Sequence, residues 1–238
     1  MAYKEILANF DIDGTIITMW GVHTKAYATT VKELYGIKDF DFRRFYKPGS
    51  TQQQAVTDNL LRMGHDIGFI NKGLDRVPEL MTKYYGKFIT PESITILPGV
   101  VDLLKRLSAE GILAGVITGN SSSAAALILA NSGLDRYFGY VSTPDAGNTR
   151  DERMLSAVKK AQAISGIKYA MGSVFYFDDS EHSIAVSRRL GIRSVAVATG
   201  ETSREALAKE APDYIMDNLS DTEAVMGILT GPAGAADA

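Results

Sequence analysis

The sequence predicts an α/β fold in which a mainly parallel sheet is interrupted by a helical insertion. An apolar strand-like run at residues 5–10 is followed at once by Asp11, Ile12, Asp13 and Gly14. Residues 20–87 then show helical periodicity and no convincing strand. From residue 94 onward, strand-like and helix-like segments alternate, which favours parallel strands joined by right-handed crossovers.

The elements of the second half follow in regular order. A continuous apolar run such as residues 112–117 is typical of a strand covered on both faces. Ser121 is a plausible N-cap of the helix after that strand. We predict strands at residues 112–117, 140–142, 174–177, 193–198 and 214–216. We predict helices at residues 99–110, 121–131, 151–164, 180–190, 203–209 and 221–229.

The helical insertion divides the predicted core into two parts of the sequence. Its first helix carries an apolar stripe, which consists of Val22, Ala26, Val31 and Leu34. Gly36, Gly64 and the Pro48–Gly49 pair separate its helices. We therefore expect a core of residues 1–17 and 92–230, an insertion of residues 18–91, and a flexible tail of residues 231–238.

The amino-acid composition limits the classes of partner and of chemistry that we expect for this protein. The chain has 25 Lys and Arg against 28 Asp and Glu, a formal net charge of -3, so we expect neither nucleic acid nor a membrane as a partner. With no cysteine, thiolate catalysis and disulfides are excluded, which is compatible with the cytoplasm. We expect no leader peptide, and no apolar run approaches the ~18 residues of a membrane span.

Carboxylates stand where the first strand ends. Open α/β sheets bind ligands at the carboxyl ends of their strands, and Gly14 permits a sharp departure from the strand. Asp11 could attack a phosphorus atom, and Asp13 could protonate the leaving oxygen and later activate water. The alternative interpretation is an ordinary turn, since Asp and Gly favour turns.

Three later strand ends add matching chemistry. Thr118 and the N–H groups after it could hold a phosphate oxygen, although Thr118 could equally be a cap or turn residue. Asp178 and Asp179 together with Asp11 fit the hard oxygen ligands of Mg²⁺, the alternative being helix capping. Arg150 could fork onto phosphate or lie solvated on the surface.

The order of these motifs resembles the haloacid-dehalogenase superfamily. Asp11–Thr15, Thr118–Gly119, a cation before a helix and Asp178–Ser180 match its four motifs, and the stretches around Leu97–Gly99 and Leu190–Ile192 are also similar. The resemblance spans residues 5–230. It implies a Rossmann-like core, with the insertion as an α-helical cap domain. That subclass includes phosphoglycolate phosphatases and β-phosphoglucomutases.

The resemblance also implies roles for single residues. Asp11 would form an aspartyl-phosphate and Asp13 would be the general acid/base. Mg²⁺ would be held by the side chains of Asp11 and Asp179 and by the backbone carbonyl of Asp13, with Asp178 close by. The phosphoryl group would be bound by three consecutive residues, which are Thr118, Gly119 and Asn120.

Departures from the family pattern qualify these roles. The third motif usually has Lys, and Arg150 takes its place here. Ser183 stands where a further Asp is common, and Thr18 where many members have Asp. The dehalogenase branch typically lacks the second Asp of the first motif, so Asp13 favours phosphate chemistry.

Candidate substrate-binding residues lie in the insertion. His23 resembles a histidine of β-phosphoglucomutase-like members, the alternative being a partly buried helix histidine. Lys47 and Ser50 resemble the substrate-facing loop of the cap, the alternative being exposed loop residues. We expect Trp20 to pack in the hinge or cap.

These observations predict a Mg²⁺-dependent phosphatase, similar to phosphoglycolate phosphatase, that acts on a small phosphorylated metabolite as a monomer or homodimer. A phosphomutase of the same chemistry and a non-catalytic phosphometabolite-binding protein are the alternatives.

Overall fold

A six-stranded parallel sheet forms the centre of the protein. The computed structural model describes residues 3–231, so the predicted tail at 231–238 lies outside the described residues except for Gly231. The bounds of its strands are Leu7–Phe10 (β1), Leu113–Ile117 (β4), Tyr140–Ser142 (β5), Val174–Asp178 (β6), Arg193–Val197 (β7) and Tyr214–Met216 (β8). Their spatial order is β5-β4-β1-β6-β7-β8. The predicted strands of the sheet are thus confirmed, with ends shifted by up to two residues.

The first strand lies in the interior of the sheet and pairs on both sides. Leu7 is in register with Leu113 of β4 and with Val174 of β6. Alternate residues face different cores, since Leu7 packs in one hydrophobic cluster while Ala8 and Phe10 pack in another. Because both faces are covered, β1 is apolar at nearly every position, as the sequence indicated.

Helices cover the two faces of the sheet. The helix bounds in the second half are Val100–Ala109 (α5), Ser122–Ser132 (α6), Arg150–Ser165 (α7), Glu181–Leu190 (α8), Arg204–Lys209 (α9) and Thr222–Thr230 (α10). Leu103 of α5 and Ile128 of α6 join the cluster that contains Phe10. Met154 of α7 and Val186 of α8 join the cluster that contains Leu7. Every helix predicted in the second half is present.

The insertion is helical, as predicted. Its helices are Trp20–Tyr35 (α1), Gln52–Arg62 (α2), Ile67–Asn71 (α3) and Val77–Phe88 (α4). Within the stripe of α1, Val22, Ala26 and Val31 are buried, whereas Leu34 is half-buried.

A short antiparallel pair joins the two ends of the insertion. Strand β2 (Ile17–Thr18) pairs with β3 (Thr95–Ile96), and the Leu97 N–H donates to the Ile16 carbonyl at 3.0 Å. The sequence did not predict this pair, because two residues per strand carry no readable alternation. The pair brings the entry and exit of the insertion together beside the end of β1.

The insertion lies over the carboxyl edge of the sheet. The Gln52 N–H donates to the Gly119 carbonyl at 3.3 Å. A Cβ at Gly119 would lie 2.1 Å from the Ser50 carbonyl oxygen, so only glycine permits this approach. No helix within residues 3–231 is long and apolar enough to cross a membrane.

Candidate active site

Three carboxylates converge where the adjacent strands β1 and β6 end. Asp11 follows β1, and its N–H donates to the Phe177 carbonyl at 2.9 Å. Asp178 ends β6, and Asp179 follows it. One oxygen from each of the three carboxylates lies within 4.8 Å of the others, and all three residues are buried. The structure therefore brings together the acids that the sequence singled out.

The charges of this cluster shift its pKa values in opposite directions. Burial, followed by the charge of Asp178, holds the pKa of Asp11 and of Asp179 well above the usual range. Burial also acts on Asp178, but the Arg150 cation and hydrogen bonds, including one from the Ser180 N–H at 2.7 Å, outweigh it and lower its pKa. At Asp11 and Asp179, the neighbouring cation and hydrogen bonds thus do not offset the cost of burying a negative charge.

The same cluster has the chemistry of a divalent cation site. Oδ1 of Asp179 is buried and has no hydrogen-bond partner within residues 3–231. An unpartnered buried carboxylate oxygen is costly, and Mg²⁺ prefers hard oxygen ligands of this kind. The donor set therefore fits a magnesium ion.

Two glycines make room for Asp179. Gly14 has a φ of +84°, and a Cβ there would lie 2.4 Å from Oδ2 of Asp179. A Cβ at Gly200 would lie 1.6 Å from the same oxygen. Gly200 comes after β7, and sequence analysis missed its role because nothing local links it to Asp179.

Both oxygens of Asp13 are engaged. Oδ1 contacts Nε2 of His23 at 2.7 Å, and Oδ2 accepts from the Asn120 amide at 2.8 Å. Nδ1 of His23 in turn contacts the Tyr85 hydroxyl at 2.8 Å. Burial acts to raise the pKa of Asp13, but His23 and the bond from Asn120 outweigh it, and the pKa is lowered. Two helices of the insertion, α1 and α4, thus contribute to holding Asp13.

The turn after β4 faces the same space. The backbone N–H and the side-chain amide of Asn120 each donate to Oγ1 of Thr118 at 3.2 Å. The Gln52 amide donates to Oδ1 of Asn120 at 3.2 Å. Ser121 is the N-cap of α6, as predicted, although its side chain makes no capping bond. Gln52 was missed, because a Gln at a helix start carries no chemical signature.

Arg150 lies inside the protein, at the first position of α7. Its side chain is 1% exposed and forms an ion pair with Asp178. Nη1 of Arg150, the nitrogen of this ion pair, also donates to the Tyr176 hydroxyl at 3.0 Å and to the Ser183 hydroxyl. The structure thus contradicts the alternative of a solvated surface Arg150. Arg153 is also buried but donates to backbone carbonyls, including that of Asn148 at 3.0 Å.

A capping box positions Arg150. The Glu152 N–H donates to Oγ1 of Thr149 at 3.2 Å, and the Thr149 N–H donates to the Glu152 carboxylate at 3.0 Å. This reciprocal pair fixes the start of α7. Arg150 therefore points from a rigid helix end toward Asp178.

The insertion and the strand ends enclose a small cavity. The space open to the centre of a water molecule is about 20 Å³, which is room for about one water. Ser50 lines it, as do Trp20 and Gln52. Lys47 does not: its side chain is 60% exposed and lies 3.5 Å from Asp58. The structure thus places Lys47 apart from the carboxylates, in a neighbouring cleft that Arg150 also lines.

Comparison with known proteins identifies the family. Residues 9–197 match the model of the haloacid dehalogenase-like hydrolases. A phosphoglycolate phosphatase of Synechococcus elongatus is 28% identical over 131 residues, which cover 54% of this chain and 58% of that relative. A pyrophosphatase PpaX of Bacillus pumilus is 23% identical over 225 residues, which cover 92% and 94% of the two chains.

A solved structure shows the same fold. The β-phosphoglucomutase of Clostridium difficile superposes with a TM-score of 0.71 at 18% identity, over 95% of this chain and 96% of that one. The family match covers most of the chain, and the superposition shows the same fold. This chain therefore belongs to the haloacid dehalogenase-like hydrolase family.

Proposed function

We propose that this protein is a Mg²⁺-dependent phosphatase that hydrolyses a small phosphomonoester through an aspartyl-phosphate on Asp11. The observation that carries the proposal is the buried group of Asp11, Asp178 and Asp179 beside an Asp13 held at both oxygens. A nucleophile next to a positioned acid/base is the arrangement that covalent phosphoryl transfer requires.

The reaction would proceed in two steps. A carboxylate oxygen of Asp11 attacks phosphorus, the bond to the leaving oxygen breaks, and Asp13 delivers a proton to that oxygen. Water then attacks the aspartyl-phosphate while Asp13 takes up its proton, which releases inorganic phosphate and restores Asp11. His23 and Asn120 keep the carboxylate of Asp13 oriented in both steps.

The magnesium ion would be held by the side chains of Asp11 and Asp179 and by the backbone carbonyl of Asp13, with Asp178 close by. When bound, it supplies positive charge that offsets the acids and the phosphoryl oxygens. The unpartnered oxygen of Asp179 supports this assignment.

Other groups would bind the transferring phosphoryl group. Arg150 supplies the fixed cation that the family usually takes from Lys. Thr118 and the N–H groups of Gly119 and Asn120 supply hydrogen bonds at the start of α6. Two nitrogens of Arg150, Nε and Nη2, are buried without a partner in the described part of the chain, and they are available for an anion. The buried position of Arg150 beside Asp178 supports a catalytic protein over a non-catalytic phosphometabolite-binding protein.

The remaining expectations complete the proposal. Residues 18–91 would act as a cap domain that moves to admit substrate, since the present cavity has room for only about one water molecule. The relatives named above suggest phosphoglycolate and pyrophosphate as candidate substrates. We propose a cytoplasmic monomer or homodimer that binds a small phosphorylated metabolite and neither nucleic acid nor a membrane.

Phosphate release from a panel of phosphoesters tests the proposal. We expect Mg²⁺-dependent release that Asp11→Asn abolishes, while Asp102→Asn, which changes an exposed acid of α5, keeps normal turnover. A mutase, the alternative supported by the His23–Asp13 contact, would require a bisphosphate primer and would release little phosphate. Normal turnover by Asp11→Asn would disprove the mechanism.

A further inference from the structure

The cavity beside Asp13 is lined on the insertion side by aromatic rings. Trp20, Tyr27, Phe42 and Tyr46 all line it. The rings contact one another: Tyr27 stacks on Phe42 with centroids 4.6 Å apart, and Tyr46 meets Trp20 edge-on at 5.5 Å. The insertion therefore presents a continuous aromatic wall to the site.

This wall lies where the leaving group would lie. His23, which contacts Asp13 at 2.7 Å, also packs against Trp20 and Phe42, with ring centroids 5.7 Å and 6.1 Å away. Because Asp13 protonates the leaving oxygen in the proposed function, the alcohol attached to that oxygen would meet these rings.

The cavity offers no cation to a second anionic group. Among its lining residues, all within the described part of the chain, none is Lys or Arg. The neighbouring cations are engaged elsewhere: Arg43, whose Cζ lies 5.4 Å from the centroid of the Trp20 ring, donates to Glu201 at 2.9 Å, and Lys47 lies near Asp58. Arg150 pairs with Asp178, and its two nitrogens that lack a partner within residues 3–231 are already assigned to the transferring phosphoryl group in the proposed function. Both ring nitrogens of His23 are engaged as well.

The uncharged character of this aromatic wall constrains the leaving group of the substrate. Removing a carboxylate or a second phosphate from water without a cation partner is strongly unfavourable. An uncharged ring, in contrast, gains stacking energy on aromatic side chains and hydrogen bonds from tyrosine hydroxyls. A leaving group such as glycolate or phosphate therefore fits this wall poorly.

We propose that the substrate is the phosphomonoester of an uncharged, ring-bearing alcohol, with Trp20 and Tyr46 as residues that determine specificity. This inference rests on the proposed function and narrows its substrate class. It disfavours phosphoglycolate, pyrophosphate and the bisphosphates that a mutase requires. A nucleoside 5′-monophosphate and a hexose phosphate share the proposed chemistry.

A matched substrate panel tests the proposal by kcat/KM, with adenosine 5′-monophosphate, glucose 6-phosphate, phosphoglycolate and pyrophosphate. We expect kcat/KM for at least one of the two ring-bearing esters to exceed the values for phosphoglycolate and pyrophosphate by about tenfold or more. Whichever ring-bearing ester is turned over faster shows whether the preferred ring is that of a nucleoside or of a sugar. Faster turnover of phosphoglycolate or pyrophosphate overturns this inference but leaves the phosphatase intact. No release from any ester overturns both.

Two variants separate binding from folding. Tyr46→Ala should lower kcat/KM for the ring-bearing ester about tenfold, since stacking on one ring typically contributes that much, and should change phosphoglycolate turnover little. Phe45→Ala is the control, because Phe45 is the half-buried neighbour that does not line the cavity. An equal loss on every substrate would mean that Tyr46 is only structural and would overturn its assignment.

Fluorescence gives a readout that is independent of turnover. Trp20 is the single tryptophan of the chain, so its emission reports on this wall alone. In Asp11→Asn protein with Mg²⁺, the preferred ring-bearing ester should change the emission saturably, and phosphoglycolate at equal concentration should not. A saturable response to phosphoglycolate alone would contradict the proposed class.

Discussion

Replacing Arg150 with alanine should reduce both turnover and stability, for separable reasons. The side chains of Arg150 and Asp178 are 1% and 3% exposed, so the variant leaves a buried carboxylate without its cation. Breaking such a pair typically costs about 3–5 kcal/mol, a large part of the ~5–15 kcal/mol that stabilises a typical protein. Loss of a cation from the transferring phosphoryl group should lower kcat by about 10²–10³.

The pH dependence of stability provides a specific signature. Because Arg150 holds the pKa of Asp178 below its ordinary value, this pair stabilises the fold above the unfolded pKa of about 3.9. That contribution is lost as the pH falls through the lower, folded pKa. The difference between wild type and Arg150→Ala in urea unfolding should therefore be large at pH 7 and should shrink below pH ~4.

Two further variants complete the design. Arg153→Ala removes a buried cation that donates to backbone carbonyls, so it should lower stability but change kcat much less. Asp178→Asn in the Arg150→Ala background should recover part of the stability and none of the turnover. A kcat of Arg150→Ala within about threefold of wild type would refute the reasoning, whatever its stability.

The remaining predictions concern the acid cluster. In EDTA, Asp11→Asn should be more stable than wild type in urea, because it removes one of several buried repelling charges; equal or lower stability would contradict the raised pKa. Since the pKa values of Asp11 and Asp179 are raised, these groups should make the metal-free protein less stable as the pH rises from about 4 through their folded values, and Mg²⁺ should diminish this loss. EDTA should silence phosphate release, Mg²⁺ should restore it and Ca²⁺ should restore it poorly; full activity without metal would exclude the site. Gly200→Ala should weaken Mg²⁺ binding in calorimetry because its Cβ would meet Asp179, whereas Gly172→Ala, with open space around it, should bind normally.

The candidate site residues at the strand ends could be predicted from the sequence, because each is marked by the apolar strand that directly precedes it or by a similar local pattern. Asp11 and Asp179 each follow a buried apolar strand, and parallel strands place their carboxyl ends at one edge. The same logic located Thr118 and Arg150. The structure adds that Arg150 is buried, which its sequence neighbourhood did not show, because Asp178 and Ser183 approach it from a different strand and helix.

Residues that act through contacts far apart in sequence could not be predicted. Tyr85 reaches His23 within the insertion across 62 positions of sequence, and Gln52 reaches Asn120 of the sheet across 68. Such contacts depend on how the helices pack against one another and over the sheet, which periodicity alone does not encode. Trp20 illustrates the same limit: its ring does pack against neighbours, as expected, but it also lines the cavity.

The antiparallel pair of β2 and β3 has a consequence for how such proteins diversify. Ile17 lies opposite Ile96, and Thr18 opposite Thr95, so the chain leaves and re-enters the core at neighbouring positions. A segment whose two ends are adjacent can be lengthened, shortened or exchanged without moving the strands that carry the acids. Recombination at this ribbon would keep the acids of the strand ends and replace the surface that selects the alcohol, together with His23, which contacts Asp13. The ribbon thus offers a grafting point at which substrate range could be engineered, provided that the new segment keeps a histidine against Asp13.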